Sequence, residues 1–439
     1  MASKRTVSGK SINKYHKKSK RETPASNSIN KRDLKQELVS PKIKSEPKDE
    51  IQKPSPENFD PYIGTKVNNK CNILSDQDIH NMAWRKLACT PAQLRLDIVL
   101  KCGQSFRWTT PFKDRPNEYA GVLNSRLWVL KQDPEHILYK TIEKKHIIKT
   151  ETKYNLTLSD DEIDKEDEKF LRNYFQLDVD LEHLYSSWKK VDPVFDNIAK
   201  DFIGVRILRQ DPVENIFSFI CSSNNNIQRI SGMVENLCTR YGEEVAEIKT
   251  SETSESTSKI YYSFPTIDRL CEKPTNESMD LEQTLRSLSF GYRAGYIAKS
   301  AKQIQSAGGY EYLLNLRSLS YDDAKTELLK LTGIGPKVAD CILLMSLDKP
   351  SSIPVDTHMF QIAAKKYLPH LRERKSVTDK VYAEIADHWR GLYGEYAGWA
   401  HSVLFSADLR HFQDIKNESK MPKNERKPSN KKANKNKRR

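Results

Sequence analysis

The apolar residues of this chain change period once, and that switch constrains the fold more than any other feature. Up to about residue 142 they alternate with polar residues, the pattern of half-buried strands. Leu94 to Leu100 alternates, Gln104 to Trp108 follows a glycine, and His136 to Ile142 is a further strand. Glu118–Leu123 and Arg126–Leu130, separated by Asn124-Ser125, read as a hairpin. From about residue 167 the spacing becomes helical, as in Phe170, Leu171, Tyr174 and Phe175, then Leu181, Leu184, Tyr185 and Trp188, then Ile216, Phe217, Phe219 and Ile220. Strands followed by helices indicate an α+β fold, not a doubly wound sheet. No internal repeat is visible.

Charge divides the chain further. The net charge is +14, yet residues 1–54 and 416–439 each carry +9, so the body between them is mildly acidic at −4. Both ends are poor in apolar residues and cannot bury enough surface to offset ordering entropy, so both are expected to be disordered. Their Lys/Arg clusters, at 17–21 and 435–439, read either as nuclear-localisation and nucleic-acid patches or as solubilising tails. The acidic run Ser159–Glu168 reads as a solvated connector, and the Ser/Thr/Glu-rich stretch 247–259 as a loop. The resulting division is a basic tail at 1–80, an antiparallel β domain with its acidic connector at 81–170, a helical region at 171–412 and a second basic tail at 413–439. No stretch approaches the ~18 apolar residues of a membrane helix, and the N-terminus has no secretory h-region, so no membrane role is expected. Seven cysteines without a C-x-x-C pair fit a reducing compartment and argue against a disulfide framework or zinc finger.

Leu331-Thr332-Gly333-Ile334-Gly335-Pro336-Lys337-Val338-Ala339-Asp340 is the most informative segment. Residues 321–346 read as two helices joined by Gly-Ile-Gly, with Pro336 opening the second. The glycines permit close approach of a ligand, and the new helix N-terminus offers N–H groups to a phosphate. On its own the segment is equally an ordinary helix pair.

Leu-x-Gly-Ile-Gly-x-Lys-x-Ala resembles the helix-hairpin-helix of base-excision DNA glycosylases, and Ile353–His358 resembles the loop holding that superfamily's essential aspartate. Gly103–Trp108, Phe217–Asn226, Gly291–Ala294 and Gly398–Leu409 are similar to one branch, the eukaryotic 8-oxoguanine DNA glycosylases, in collinear order over about residues 83–412.

The resemblance implies an enzyme that flips an oxidised guanine out of double-stranded DNA, excises it, and cleaves the abasic site by β-elimination. It makes Lys337 the amine nucleophile, although a lone Lys at a helix start is usually just solvated. Asp356 supplies a carboxylate near C1′ and also reads as a helix N-cap. Gly103 offers its carbonyl to N7–H of the lesion. Phe405 and Cys341 face the base from either side, and Pro354 and His401 complete its pocket; as bare residues Phe405 and Cys341 read as core. Asn224, Arg229 and Arg293 are candidates for the vacated space and the orphaned cytosine, and Tyr292 for a wedge between base steps. Gly333, Gly335 and His358 belong to the DNA-contacting set.

The sequence departs from the family at position 401, where glutamine is usual. A His accepts only while neutral, so base recognition is expected to weaken as pH falls through its pKa. No cysteine follows Cys341, which excludes the iron–sulfur cluster of the endonuclease-III relatives. No cofactor or metal is implied, and a nuclear monomer is expected. The alternatives are a glycosylase for another oxidised purine or formamidopyrimidine, and a non-catalytic helix-hairpin-helix DNA-binding protein.

Overall fold

A computed structural model describes residues 72–142, 160–250, 257–272, 279–374, 376–409 and 412. Four strands, β2 (Arg85–Ala88), β3 (Tyr119–Leu123), β4 (Arg126–Gln132) and β5 (His136–Ile142), form an antiparallel sheet in the order β2-β5-β4-β3. The β3–β4 hairpin turns at Asn124 and Ser125, both at positive φ (48° and 55°), the conformation that matches the twist of paired strands.

A second sheet has the order β1-β6-β7, with β1 (Asn72–Ser75) parallel to β6 (Glu244–Thr250) and β6 antiparallel to β7 (Thr257–Tyr262). This corrects two expectations. Residues 72–80 do not belong to a disordered tail. They form β1 and a helix, Asp76–Asn81, nucleated by a Ser75/Asp78 capping box and anchored by the fully buried Ile79. The remainder of that tail, and the tail at 413–439, lie outside the described residues. The stretch 247–259 is also more than a loop. Its Ser/Thr/Glu composition masks the apolar Val245, Ile248 and Tyr261, which pack with Ile79 of helix Asp76–Asn81 and with Val122, Leu127 and Val129 of the first sheet.

The acidic run is a third correction. It opens the helix Asp160–Tyr174, and Asp167 is fully buried. Its carboxylate accepts from Arg85 Nη1 (2.7 Å), Thr141 Oγ1 (2.9 Å) and Arg126, so this helix is pinned to β2, β4 and β5. A buried carboxylate is tolerable only with such partners. The same helix lays Leu171, Tyr174 and Phe175 against Leu87, Trp128 and Tyr139, and it runs through position 170, where the β domain was expected to end.

Two expected strands are absent. Leu94–Leu100 holds only a short helix, Leu96–Val99: Asp97 is exposed between Leu96 and Ile98, but Ile98, Val99 and Leu100 are buried in succession, so the alternation does not continue. Gln104–Trp108 is irregular. Its buried Gln104 amide ties it to the 206–210 segment instead of a strand partner, donating to the Arg206 carbonyl (2.8 Å) and accepting from Leu208 N–H (3.0 Å).

The remaining helices share one core that includes Phe217, Ile220, Ile297, Leu343, Trp389 and Trp399. Those that position the site are Pro212–Ser222, Arg293–Ser306, Tyr321–Leu329, Pro336–Ser346, Thr357–Ile362, Asp379–Tyr393 and Ala397–Asp408.

Candidate active site

After helix Tyr321–Leu329 the chain turns at Gly333, whose φ of +88° suits glycine alone without strain. A Cβ there would lie 2.6 Å from the Tyr296 side chain, so the turn rests directly on helix Arg293–Ser306. Helix Pro336–Ser346 then opens at Pro336 with no side-chain cap, and Gly335 faces open space. Uncapped N–H groups at an accessible helix start suit a phosphate.

Lys337 stands in the first turn of that helix, its Nζ 5.4 Å from the Phe219 ring centroid. Cys341, one turn on, is buried. Burial pushes its thiol up to about 11, only partly opposed by the Lys337 charge, so it stays neutral near pH 7. A neutral, buried thiol is a poor nucleophile.

Asp356 caps helix Thr357–Ile362, its Oδ1 accepting from Met359 N–H at 2.9 Å. The other oxygen has no partner among the described residues, so capping leaves half the carboxylate free for other work.

His401 sits on helix Ala397–Asp408 with Nε2 3.0 Å from the Pro354 carbonyl oxygen. A carbonyl only accepts, so Nε2 carries the proton and Nδ1 is left as an acceptor, buried and without a partner. Burial lowers the pKa to about 4, against the opposing charge of Asp356. The ring is thus neutral from pH 5.5 to 8, and the acid weakening expected from sequence falls below that interval. Phe405, four residues on, stacks nearly parallel to the His401 ring, at 8° with centroids 6.5 Å apart.

Gly103 takes a φ of +86°, and a Cβ there would meet Ile227 at 3.3 Å. On its C-terminal side the Gln104 carbonyl accepts from Gln210 Nε2 at 3.0 Å, which with the Gln104 amide bonds fixes the direction of this turn.

Lys337, Asp356, Gly103, Cys341, Pro354, His401 and Phe405, distant in sequence, line one cavity. Phe219, Met345, Ser402 and Ser406 line it as well. Phe219, Ser402 and Ser406 lay within the quoted motifs without a role; Met345 carried no signal beyond its helical spacing from Cys341.

The other candidates lie outside this cavity. Asn224 is exposed at φ 47°, and the carbonyls of Ser223 and Asn224 accept from Arg293 (3.2 Å for Asn224). Arg293 is therefore buried and engaged through Nη2, while its buried Nε has no partner among the described residues. Arg229 is exposed and reaches the Ser289 carbonyl at 3.4 Å. Tyr292 is 46% exposed, donates to the Ser223 carbonyl (3.0 Å), and meets Tyr296 edge-on at 5.4 Å. Because Tyr296 also covers Gly333, the hairpin and the Asn224 turn belong to one continuous surface. His358 is exposed, with Nδ1 3.3 Å from Asp408 Oδ2 and its ring 6.3 Å from that of Phe405. Among the described residues no group of His, Cys, Asp and Glu side chains has the arrangement of a metal site.

Residues 86–216 match the family described as 8-oxoguanine DNA glycosylase, N-terminal domain, and residues 217–388 match the HhH-GPD superfamily of base excision DNA repair proteins. The N-glycosylase/DNA lyase OGG1 of Arabidopsis thaliana is 36% identical over 330 residues, covering 74% of this chain and 80% of that one. The N-glycosylase/DNA lyase of Saccharomyces cerevisiae is 33% identical over 360 residues, covering 74% and 86%. Among solved structures, MBOgg1 in complex with a low-affinity DNA ligand aligns with a TM-score of 0.57 at 27% identity, over 74% of this chain and 98% of that one. The Clostridium acetobutylicum 8-oxoguanine glycosylase/lyase, in complex with double-stranded DNA containing cytosine opposite 8-oxoG, aligns with a TM-score of 0.56 at 26% identity, over 76% and 99%. Sequence matches on both sides of residue 216, and relatives spanned over most of their length, lead to one assignment: this chain belongs to the 8-oxoguanine DNA glycosylase family and is a bifunctional DNA N-glycosylase and DNA lyase.

Proposed function

We propose that the enzyme excises 8-oxoguanine lying opposite cytosine in duplex DNA and then cleaves the strand through a Schiff base on Lys337. The Lys337 amine attacks C1′ of the flipped nucleotide, and Nζ gives up a proton as the new C1′–N bond forms. The C1′–N9 bond breaks, its electron pair leaving on the base, which takes up a proton. The Asp356 carboxylate stabilises the positive charge that develops at C1′. Opening of the sugar ring gives an iminium between Nζ and C1′. Loss of a C2′ proton then expels the 3′ phosphate by β-elimination.

The observation that carries this reading is that Lys337 and Asp356 line the same cavity while Cys341, the rival nucleophile there, is held neutral. Within that cavity the Gly103 carbonyl is the acceptor for N7–H, which the oxidised base has and guanine lacks. His401 Nδ1, a lone-pair acceptor by virtue of the Pro354 bond, suits the N1–H or N2–H edge, the task of glutamine in the family. Phe405 supplies the stacking face. Asn224, Arg229 and Arg293 serve the orphaned cytosine, Tyr292 the wedge, and the Gly333–Gly335 turn a backbone phosphate. The basic ends support additional, sequence-independent DNA affinity and a nuclear site of action for a monomer.

Borohydride trapping on a duplex with a single 8-oxoguanine opposite cytosine tests the reading. The native protein should form a covalent adduct, and Lys337→Gln should lose adduct and base release while still binding duplex. An adduct with Lys337→Gln would assign the nucleophile elsewhere.

A further inference from the structure

Asp340 lies one helical turn beyond Lys337 and is fully buried. Its Oδ1 accepts from the Tyr321 hydroxyl (2.7 Å) and Ser352 Oγ (2.8 Å), and its Oδ2 from Lys325 Nζ (2.8 Å) and the Tyr382 hydroxyl (2.6 Å). Lys325 supplies the countercharge, with its Nζ also 5.1 Å and 5.4 Å from the Tyr321 and Tyr382 ring centroids. Four donors satisfy the carboxylate, which a buried charge requires. They come from helix Tyr321–Leu329, from the segment leading to Asp356, and from helix Asp379–Tyr393.

The Tyr321 oxygen also accepts from Lys325 Nζ at 2.8 Å, but both its partners lie within the Asp340 cluster. The Tyr382 oxygen reaches beyond that cluster to the Asp356 segment. While donating to Asp340 it accepts from Val355 N–H at 3.2 Å, the amide of the residue immediately before Asp356. It also lies 3.1 Å from the Ile353 carbonyl. Its one proton goes to the shorter contact with the charged acceptor. Burial and the nearby Asp340 charge push the phenol far above its ordinary range, so it remains a donor at any physiological pH. One oxygen thus spans the gap between the helix of Lys337 and the peptide that leads into Asp356. His401 grips the same segment at Pro354. Val355 is buried, so its N–H has no alternative in water.

We propose that Tyr382 is a positioning residue that sets the Asp356 carboxylate relative to the Lys337 amine by bonding Asp340 and the Val355 amide with one hydroxyl. This rests on the assignment of Lys337 and Asp356 to the chemistry. Tyr321 is the internal control. It donates to the same carboxylate from a helix that does not touch the Asp356 segment through that hydroxyl, so Tyr321→Phe removes an equivalent bond without releasing the Val355 amide.

The experiment compares native protein, Tyr382→Phe and Tyr321→Phe in single-turnover excision and borohydride trapping on an 8-oxoguanine·cytosine duplex, with Kd for that duplex measured alongside. Small misplacements of reacting groups cost rate steeply, so Tyr382→Phe should lower the excision and trapping rates by ~10-fold or more with Kd within about twofold. Tyr321→Phe should keep both rates within about twofold even where it lowers thermal stability. Equal rate losses in the two variants, or a native rate in Tyr382→Phe, would overturn the proposal. If Tyr382→Phe does not give folded protein, Tyr382→His carries the same test, with a reduced rate at unchanged Kd in support and a native rate against. Failure of the native protein to form any adduct would instead refute the Lys337 chemistry on which the proposal stands.

Discussion

His401 ties the cavity to a measurable pH dependence of stability. The ring is 4% exposed, donates from Nε2 to the Pro354 carbonyl, and leaves Nδ1 buried with nothing to bond a second proton. Its pKa is therefore depressed from 6.5 to about 4 in the folded protein. An unfolded chain binds the proton more readily, so acid favours unfolding. The contribution is complete above pH 6.5 and is lost as pH falls from there toward 4. Linkage between those two values gives a loss of about 2 kcal/mol on going from pH 7.5 to pH 5. His401→Gln removes the titration and keeps a side chain able to donate to Pro354. Urea unfolding of both proteins at several pH values over this interval should show the native protein losing about 2 kcal/mol more than the variant. The comparison is between slopes, so a uniform packing loss in the variant cancels, as do the carboxylates common to both. Parallel slopes would show that position 401 does not titrate with folding, and the argument for a neutral ring with an acceptor at Nδ1 would fall. Excision between pH 5.5 and 8 follows from the same value: any acid limb seen there should persist in His401→Gln, because the ring has not yet gained its proton.

Gly333→Ala places a side chain at φ +88° and 2.6 Å from Tyr296, so it should cost roughly 1–3 kcal/mol in thermal or urea unfolding and weaken duplex binding by anisotropy; native affinity would separate this turn from the DNA surface. A fragment of residues 67–415 lacks both +9 ends and keeps β1, which pairs with β6, so it should turn over lesion DNA while binding undamaged duplex less tightly at low salt. Identical affinities across a salt titration would leave the ends without an electrostatic role.

Much of the fold was legible because two periods were clean. The hairpin at Asn124-Ser125 and the helices after residue 170 are where alternation and helical spacing place them. The errors at 72–80, 159–168 and 247–259 share one cause, which is that composition was read where burial decides. Ser159–Glu168 is acidic enough to look solvated, yet Asp167 is buried because Arg85 and Arg126, some 80 and 40 residues earlier, meet it across the sheet. No local window contains that pairing. Leu94–Leu100 alternates like a strand as far as Ile98, but a few alternating residues fit a short helix as well, and Ile98, Val99 and Leu100 are buried in succession.

The site divides the same way. Lys337, Asp356, Gly103 and Phe405 could be named because each stands in a motif that resembles the family's, and the cavity brings them together. What holds them could not. Asp340 and Tyr382 are 42 residues apart, and as bare residues one is a helical acid and the other a helical aromatic. Only the fold shows that a buried carboxylate one turn from the amine shares a hydroxyl with the peptide before Asp356. A motif records which groups react, since their identity is fixed by the reaction. The groups that hold them at distance are fixed by the local packing of one chain, where several residue types can close the same gap. Position 401 lies between these cases. His stands where glutamine is usual, and its fitness as an acceptor depends on a carbonyl 47 residues away that settles which ring nitrogen keeps the lone pair.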